Sequence, residues 1–163
     1  MTTAEALLFL EEHQPLPQQM SPTLTVRFEA ALASLRKNPH TDCIPLLLGC
    51  FANWEEIDHQ ESIQALLQQF PTQQVIPHLA QSLASEDVMV RKWSADTARI
   101  FPHEDLLPLL SPLLVNEDTE IRLISAAALE CIGGARARAI AQRAMAREQD
   151  EQILDILAHV GVA

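Results

Sequence analysis

Residues 72–134 read TQQVIPHLAQSLASEDVMVRKWSADTARIFPHEDLLPLLSPLLVNEDTEIRLISAAALECIGG, and the fold class follows from a repeat inside this stretch. Each copy has an aliphatic residue and a proline, then an aspartate, then a β-branched residue with an arginine, and finally a small residue. The two copies are Ile76-Pro77, Asp87, Val90-Arg91, Ala95 and Leu107-Pro108, Asp118, Ile121-Arg122, Ala126. In both copies 14 positions separate the proline from the arginine.

Weaker copies of the pattern extend over the whole chain. The β-branched residues recur at spacings of 31, 33, 31 and 32, at Val26, Ile57, Val90, Ile121 and Ile153. Five positions after each comes a small residue: Ala31, Ser62, Ala95, Ala126 and Ala158. The last three copies carry an acid three positions before the β-branched residue: Asp87, Asp118 and Asp150. The pattern is looser in the first and fifth copies, and the arginine position is occupied by Asp58 in the second copy and by Leu154 in the last.

Prolines and helix caps divide the chain into short helical stretches. The predicted N-caps are Thr2 (in a capping box with Glu5), Ser21 (before Pro22), Thr41, Thr72 and Ser85. The predicted breaks are the loop 14–17, Pro39, Pro71, Pro102 and Gly133-Gly134. No stretch alternates apolar and polar residues long enough to indicate a strand. The sequence therefore predicts an all-α chain of about ten helices, arranged as about five antiparallel pairs.

The period of about 32 residues has a physical explanation in paired helices. A two-helix unit cannot bury its apolar face alone, so neighbouring units stack and share one core. The aspartate can cap the second helix, and the arginine one turn later is within reach of its own acid or that of the next copy. We therefore predict one domain over residues 1–163, with the clearest repeats in 72–134 and atypical terminal units in 1–40 and 135–163.

The repeat resembles the HEAT-like (armadillo-type) family, especially its bacterial short-repeat branch. The resemblance is carried by Ile76-Pro77 to Ala95 and by Leu107-Pro108 to Ala126. It implies a curved α-α superhelix, or solenoid, with a concave face lined by the second helices. It also implies that Arg91, Lys92 and Arg122 lie on that inner face. Stacked pairs of this kind commonly bind other proteins.

Composition and charge limit the possible partners. Acids outnumber bases 22 to 11, giving a net charge of −11, which disfavours nucleic acid and anionic membrane. The start of the chain lacks a basic segment before its apolar run, and no window is apolar enough for a transmembrane helix. Three cysteines are too few for a disulfide framework, so we expect a cytoplasmic protein.

The charge is unevenly distributed along the chain. Residues 1–71 contain nine acids and three bases. Residues 131–147 contain no acid but four arginines, of which Arg136, Arg143 and Arg147 share roughly one helical face. This late basic face is predicted to meet an acidic protein surface or a phosphate, or else to be a solvated face paired with nearby acids.

The sequence favours a protein without catalytic chemistry. It has no P-loop, no G-x-G-x-x-G, no H-E-x-x-H and no G-x-S-x-G motif. Cys43 and Cys50 are seven positions apart without further ligands nearby, so we expect small buried side chains and no metal. The pair His103-Glu104 is similar to the His-Glu pairs of di-iron HEAT-like enzymes, but it occurs once and cannot build such a site. We expect no cofactor.

The sequence thus predicts a non-catalytic protein-binding module: an adaptor, an assembly chaperone or an inhibitor of a basic toxin or nuclease. The candidate binding residues are Arg91, Lys92, Trp93, Arg122, Arg136, Arg143 and Arg147. Trp54 and Trp93 are either binding anchors, because tryptophan is enriched at interface hot spots, or side chains buried between units, which the sequence favours. There are two alternatives to this module. One is a subunit of a HEAT-like lyase that attaches bilins to light-harvesting proteins, and the other is a DNA-repair solenoid with a basic concave surface.

Overall fold

The computed structural model describes residues 1–52 and 58–161, without the side chain of Asp58. These residues form ten α-helices and two short 3₁₀ helices, and no strand occurs among them. The all-α prediction is therefore confirmed for the described part of the chain. The structure divides into two compact units, Met1–Trp93 (the N-terminal unit) and Ser94–Ala163 (the C-terminal unit).

The N-terminal unit contains five helices and the start of a sixth. They are α1 (Thr3–Glu12), α2 (Pro22–Lys37), α3 (Cys43–Gly49), α4 (Asp58–Leu67), α5 (Thr72–Leu83) and the first half of α6 (Val88–Ile100). Helix α1 packs on α2 and α3, and α3 also packs on α4 and α5. The core of this unit is aromatic and aliphatic, with Phe9, Phe28, Phe51, Leu47 and Ile63 fully buried.

The predicted starts of the first two helices are confirmed. The Glu5 backbone N–H donates to Thr2 Oγ1 (3.2 Å), and the Thr2 backbone N–H donates to Glu5 Oε2 (2.7 Å), completing the capping box. The Leu24 backbone N–H donates to Ser21 Oγ (3.2 Å), with Pro22 in the first turn of α2. These bonds satisfy amides that a helix start leaves unpaired.

Three predicted N-caps are wrong. Asp42, not Thr41, precedes α3, and Pro71 precedes α5, so Thr72 lies inside that helix. At α6 the cap is Asp87, whose Oδ1 accepts from the backbone N–H groups of Met89 (2.8 Å) and Val90 (3.0 Å). An ionised carboxylate is the stronger acceptor at a helix N-terminus, and it also suits the helix dipole.

The C-terminal unit begins with the second half of α6. It continues with a 3₁₀ helix (Glu104–Leu106), α7 (Leu107–Leu110), a second 3₁₀ helix (Ser111–Val115), α8 (Thr119–Ile132), α9 (Gly134–Met145) and α10 (Glu151–His159). Helix α8 packs on α7, α9, α10 and the second 3₁₀ helix. Alanines at the α8–α9 core, including Ala126, Ala137 and Ala141, are buried, and they permit the helices to approach closely.

Gly133 and Gly134 join α8 to α9, as the sequence predicts. Both glycines have positive φ, 64° and 80°, in the region that residues with a Cβ rarely adopt. The Gly133 backbone N–H donates to Leu129 O (2.9 Å), which ends α8. The break therefore turns the chain sharply enough for α9 to pack back on α8.

Burial supports the repeat more strongly in its later copies. Val90, Ile121 and Ile153 are buried, and so are the small residues Ala95 and Ala126. In the first copy Val26 is 65% exposed, and in the last copy Ala158 is exposed. Ile57 of the second copy lies outside the described residues. Both core positions are thus buried in the third and fourth copies, whereas the first and last copies each bury one of the two, Ala31 and Ile153.

No helix in the described ranges combines the length and the apolar character that a bilayer crossing needs. The longest of the described helices, α2, has 16 residues, with charges in its middle and in its last turn.

Candidate protein-binding surface

The repeat's aspartates cap the second helix of each later pair. Asp87 Oδ1 accepts from Met89 and Val90, Asp118 Oδ1 from the Glu120 N–H (2.8 Å), and Asp150 Oδ1 from the N–H groups of Gln152 (3.0 Å) and Ile153 (3.2 Å). Asp118 and Asp150 have the extended backbone typical of an N-cap. The acid that the sequence places before each β-branched residue is therefore a structural cap.

A polar side chain also lies two positions before each capping aspartate. The sequence analysis did not identify this position as part of the repeat. The aspartate backbone N–H donates to Ser85 Oγ (3.2 Å), to Asn116 Oδ1 (2.9 Å) or to Glu148 Oε1 (3.0 Å). These residues are chemically different but share an oxygen acceptor. Residue identity alone therefore did not reveal this position as part of the repeat. The signal that could have found them is the spacing of 31 and 32 residues.

The arginines Arg91 and Arg122 hold the loop that precedes their own helix. Arg91 Nη1 donates to the Ser85 and Glu86 carbonyls, and Arg122 Nη1 to the Asn116 (2.9 Å) and Glu117 (3.1 Å) carbonyls. Carbonyls in such loops have no helical partner, so the guanidinium stabilises them. Both candidates are thus placed at the helix starts, with much of their hydrogen-bonding capacity used inside the protein.

Arg122 also pairs with an acid of the next repeat. Its Nε donates to Glu148 Oε2 (2.9 Å) and its Nη2 to Glu148 Oε1 (3.3 Å). The Glu148 side chain is only 4% exposed and also accepts from the backbone N–H groups of Gln149 and Asp150. Hydrogen bonds from Arg122 lower the pKa of Glu148, against the opposing effect of burial, and the same pair raises the pKa of Arg122.

Lys92 and Trp93 are largely taken up by the N-terminal unit. Lys92 is 6% exposed, and its Nζ lies 4.8 Å from the centroid of the Trp93 ring. Trp93 is half-buried, and its Nε1 donates to the Ala52 carbonyl (2.8 Å). The lysine therefore offers a partner little surface, and the indole N–H already has an acceptor. Trp54, the other possible anchor, lies outside the described residues.

The arginines of α9 are placed differently, on an exposed face. Arg136 and Arg143 are about 20° apart around the helix axis, and Arg147 follows in the turn after α9, where its backbone N–H donates to Ala144 O (3.0 Å). Arg136 Nη1 lies 3.5 Å from Glu104 Oε2, both side chains being more than half exposed. Such a solvated pair contributes little binding energy.

Arg143 and Arg147 have no such acid beside them. Both are exposed, and within residues 1–52 and 58–161 no carboxylate lies at ion-pair distance from either guanidinium. Arg138, also exposed, lies on the far side of α9 near the chain's last glycine, Gly161. The structure therefore separates the seven candidates into side chains that contact another group of the protein, Arg136 in a solvated ion pair among them, and two exposed arginines without an acid beside them among the described residues, Arg143 and Arg147.

A concave groove lies at the C-terminal end of α9, and we call it the α9 groove. Its volume is about 320 Å³, and it is lined by Leu114, Val115, Asn116, Arg122, Arg147, Glu148 and Gln149. Two candidates, Arg122 and Arg147, thus meet in one groove. Val115 is a lining residue that the sequence analysis did not single out. Its side chain is 58% exposed, although it belongs to an otherwise apolar segment.

The residues that the sequence offered for metal binding or catalysis lie at a helix start or in the core. His103 caps the first 3₁₀ helix, its Nδ1 accepting from the Asp105 backbone N–H (3.2 Å), with Glu104 in the same first turn. Cys43 and Cys50 are both buried, and burial raises the pKa of their thiols to about 11 and about 12. No cluster of His, Cys, Asp and Glu able to hold a metal occurs in the described residues.

Comparison with known proteins gives no relative: no family model, no curated protein and no solved structure matches this chain.

Proposed function

We propose that this protein is a non-catalytic protein-binding module, built as a HEAT-like solenoid of helix pairs, and that it binds an acidic partner through α9. The observation that carries the proposal is the pair of exposed arginines, Arg143 and Arg147, which lack a neighbouring carboxylate among the described residues. The chain contains 22 acids and 11 Lys and Arg residues, so carboxylates are more than numerous enough to pair with both arginines. Their exposure without a partner suits a site that is completed by another molecule.

The hydrogen bonds of the other arginines reduce the number of side chains that can contact a partner. Arg91 and Arg122 hold helix starts, so they support the solenoid and contribute little to its outer chemistry. In the proposed solenoid the second helices still line the concave face, but partner recognition centres on α9. Protein is the favoured class of partner, since the net negative charge of the chain opposes the approach of a nucleic acid.

The proposed role is that of an adaptor, an assembly chaperone or an inhibitor, acting in the cytoplasm. Each of these roles requires a rigid surface and no reaction. An acidic chain with one basic face would orient its partner during encounter, because opposite charges attract and the rest of the surface repels acidic regions.

Capture of a partner from the host lysate tests the proposal. The immobilised full-length chain is exposed to lysate at low salt, and retained proteins are identified by mass spectrometry. We expect Arg143→Glu to reduce the retained amount about tenfold, because it places a like charge against an acidic surface. Arg138→Glu is the matched control, since it changes the net charge equally on the same helix but about 140° away from Arg143.

Two outcomes would contradict the proposal. The first is that the wild-type chain retains no specific protein at low salt. The second is that Arg143→Glu and Arg138→Glu reduce retention equally, because then only the net charge matters and α9 has no recognition face. Circular dichroism of both variants shows whether the helices are intact.

A further inference from the structure

We propose that the α9 groove binds a segment of the partner protein in which an acidic side chain stands next to an aliphatic one. This inference rests on the proposed function, since it assigns the chemistry of the partner at the same end of α9. It is carried by three features of the groove: a cation without a counter-ion, an exposed valine, and a neighbouring acid that is fully occupied.

The positive charge of the groove is not neutralised from within. Among the residues that the structure describes, Glu148 is the one acid that lines it, and its two carboxylate oxygens accept from Arg122 Nε and Nη2 and from the Gln149 and Asp150 backbone N–H groups. Because this carboxylate already accepts four hydrogen bonds, turning towards Arg147 would break bonds that it now has. The Arg147 guanidinium is therefore the part of the groove that a carboxylate from another chain can approach.

Arg122 contributes to the shape of the groove, but its N–H donors are already used within the protein. Its Nη1 is bonded to two loop carbonyls, its Nε to Glu148, and its Nη2 to Glu148 and, at 3.4 Å, to Thr119 Oγ1. Since all three nitrogens already have acceptors, Arg122 forms a wall of the groove. Recognition of an acid then depends on Arg147, which lies in the turn after α9.

An apolar surface lies in the same groove. Val115 is mostly exposed beside Leu114, which is buried in the unit's core. Covering a valine with an aliphatic side chain removes apolar surface from water, which favours binding. Asn116, whose Oδ1 already accepts from the Asp118 backbone N–H, and Gln149 add amide groups to the lining, and their remaining donors and acceptors suit the main chain of an extended segment. A segment with alternating acid and aliphatic residues matches all of these groups.

Synthetic peptides test the inference on the full-length protein. One fluorescein-labelled peptide alternates Glu and Leu, a second replaces each Leu by Ser, and a third replaces each Glu by Gln. Fluorescence anisotropy measures the affinity of each. We expect the Glu/Leu peptide to bind best, and Arg147→Gln to weaken it about fivefold.

The valine gives the sharper test, because its loss should affect only one peptide. Val115→Ser should weaken the Glu/Leu peptide about fivefold and leave the affinity of the Glu/Ser peptide unchanged. Val26→Ser is the matched control: Val26 is also exposed but belongs to the N-terminal unit, outside the groove, and its replacement should change neither affinity.

The outcomes separate this inference from the proposed function. If Val115→Ser weakens both acidic peptides equally, or neither, the groove assignment is overturned while the basic face of α9 stands. If no acidic peptide binds and Arg143→Glu behaves like Arg138→Glu in lysate capture, both proposals fail. If sedimentation shows that the chain self-associates and Arg147→Gln abolishes this, the groove binds a second copy, which also overturns the inference.

Discussion

The three cysteines differ in ways that only their surroundings explain. Cys43 and Cys50 are buried around α3, and Cys50 Sγ lies 3.5 Å from the His13 carbonyl, to which the thiol donates. Burial disfavours the charged thiolate, so the pKa of each thiol is raised, to about 11 and about 12. Cys131, near the end of α8, is exposed. The expectation that Cys43 and Cys50 are small buried side chains is confirmed.

We predict that a thiol reagent such as Ellman's reagent modifies one cysteine rapidly in the native chain and all three after unfolding. Thiolates are the reacting species, and buried thiols of high pKa supply neither thiolate nor access. The reaction is followed by absorbance at neutral pH, with and without denaturant.

Cys131→Ser is the matched variant for this prediction. It should remove the rapid phase completely, whereas Cys43→Ser should leave it unchanged. Rapid reaction of two thiols in the native wild-type chain would show that α3 does not bury its cysteines as described.

At the level of elements, the later helix starts share one design. An aspartate caps α6, α8 and α10, and a polar side chain two positions earlier accepts from that aspartate's N–H. An arginine then returns to the loop from the first turn of α6 and of α8. The sequence predicted capping aspartates and an arginine within reach of its own acid or that of the next copy. It predicted neither the bonds to the loop carbonyls nor that Glu148 is the acid, because that contact joins residues 26 positions apart.

We predict that Glu148→Gln destabilises the protein by about 1–2 kcal/mol near neutral pH, because it weakens charge-assisted hydrogen bonds to Arg122 that are partly screened by solvent. Urea unfolding monitored by circular dichroism measures the change in unfolding free energy. Glu117→Gln is the control, since it removes an equal charge beside α8, and no side-chain bond of Glu117 occurs in the described part of the chain. Equal effects of the two substitutions would contradict the structural role of Glu148.

The effect of Glu148→Gln should depend on pH. The pKa of Glu148 in the folded chain lies below its ordinary value of 4.5, so folding favours the ionised form. The stabilisation is therefore complete above pH 4.5 and is lost as the pH falls through the lowered folded pKa. The difference between wild type and Glu148→Gln should shrink over that acidic range and stay constant above it.

At the scale of the whole molecule, charge distribution carries more information than any motif. The first 71 residues have nine acids and three bases, while residues 131–147 have four arginines and no acid. The structure places these arginines on α9 and the turn after it, pairs Arg136 with Glu104, and leaves Arg138, Arg143 and Arg147 exposed. The net charge of −11 thus coexists with a small positive surface on α9 and the turn after it.

We predict that a fluorescein-labelled DNA duplex shows no rise in anisotropy on addition of the protein at about 50 mM salt, where phosphate contacts are strongest. Several neutralised phosphates are needed for measurable binding, and the arginines of α9 and the following turn lie on different sides of the helix, with Arg136 paired to Glu104. A basic DNA-binding protein serves as the positive control. A rise that disappears at higher salt would favour the DNA-repair solenoid instead.

By itself, the sequence determined the helical class, the helix caps at Thr2 and Ser21, the break at Gly133-Gly134 and the capping aspartates. These features depend on neighbours within a few positions, so spacing and residue type are sufficient to predict them. The excess of arginine in α9 was also visible, since it is a property of composition.

Only the tertiary structure decided which arginines are exposed. The sequence proposed Arg91, Arg122 and Arg143 alike as binding residues, yet the first two bond to loop carbonyls and, in the described part of the chain, the third does not. The α9 groove likewise joins residues 114–116 to residues 147–149. Such contacts depend on how helices pack, and packing energy is summed over residues that are distant in sequence and close in space.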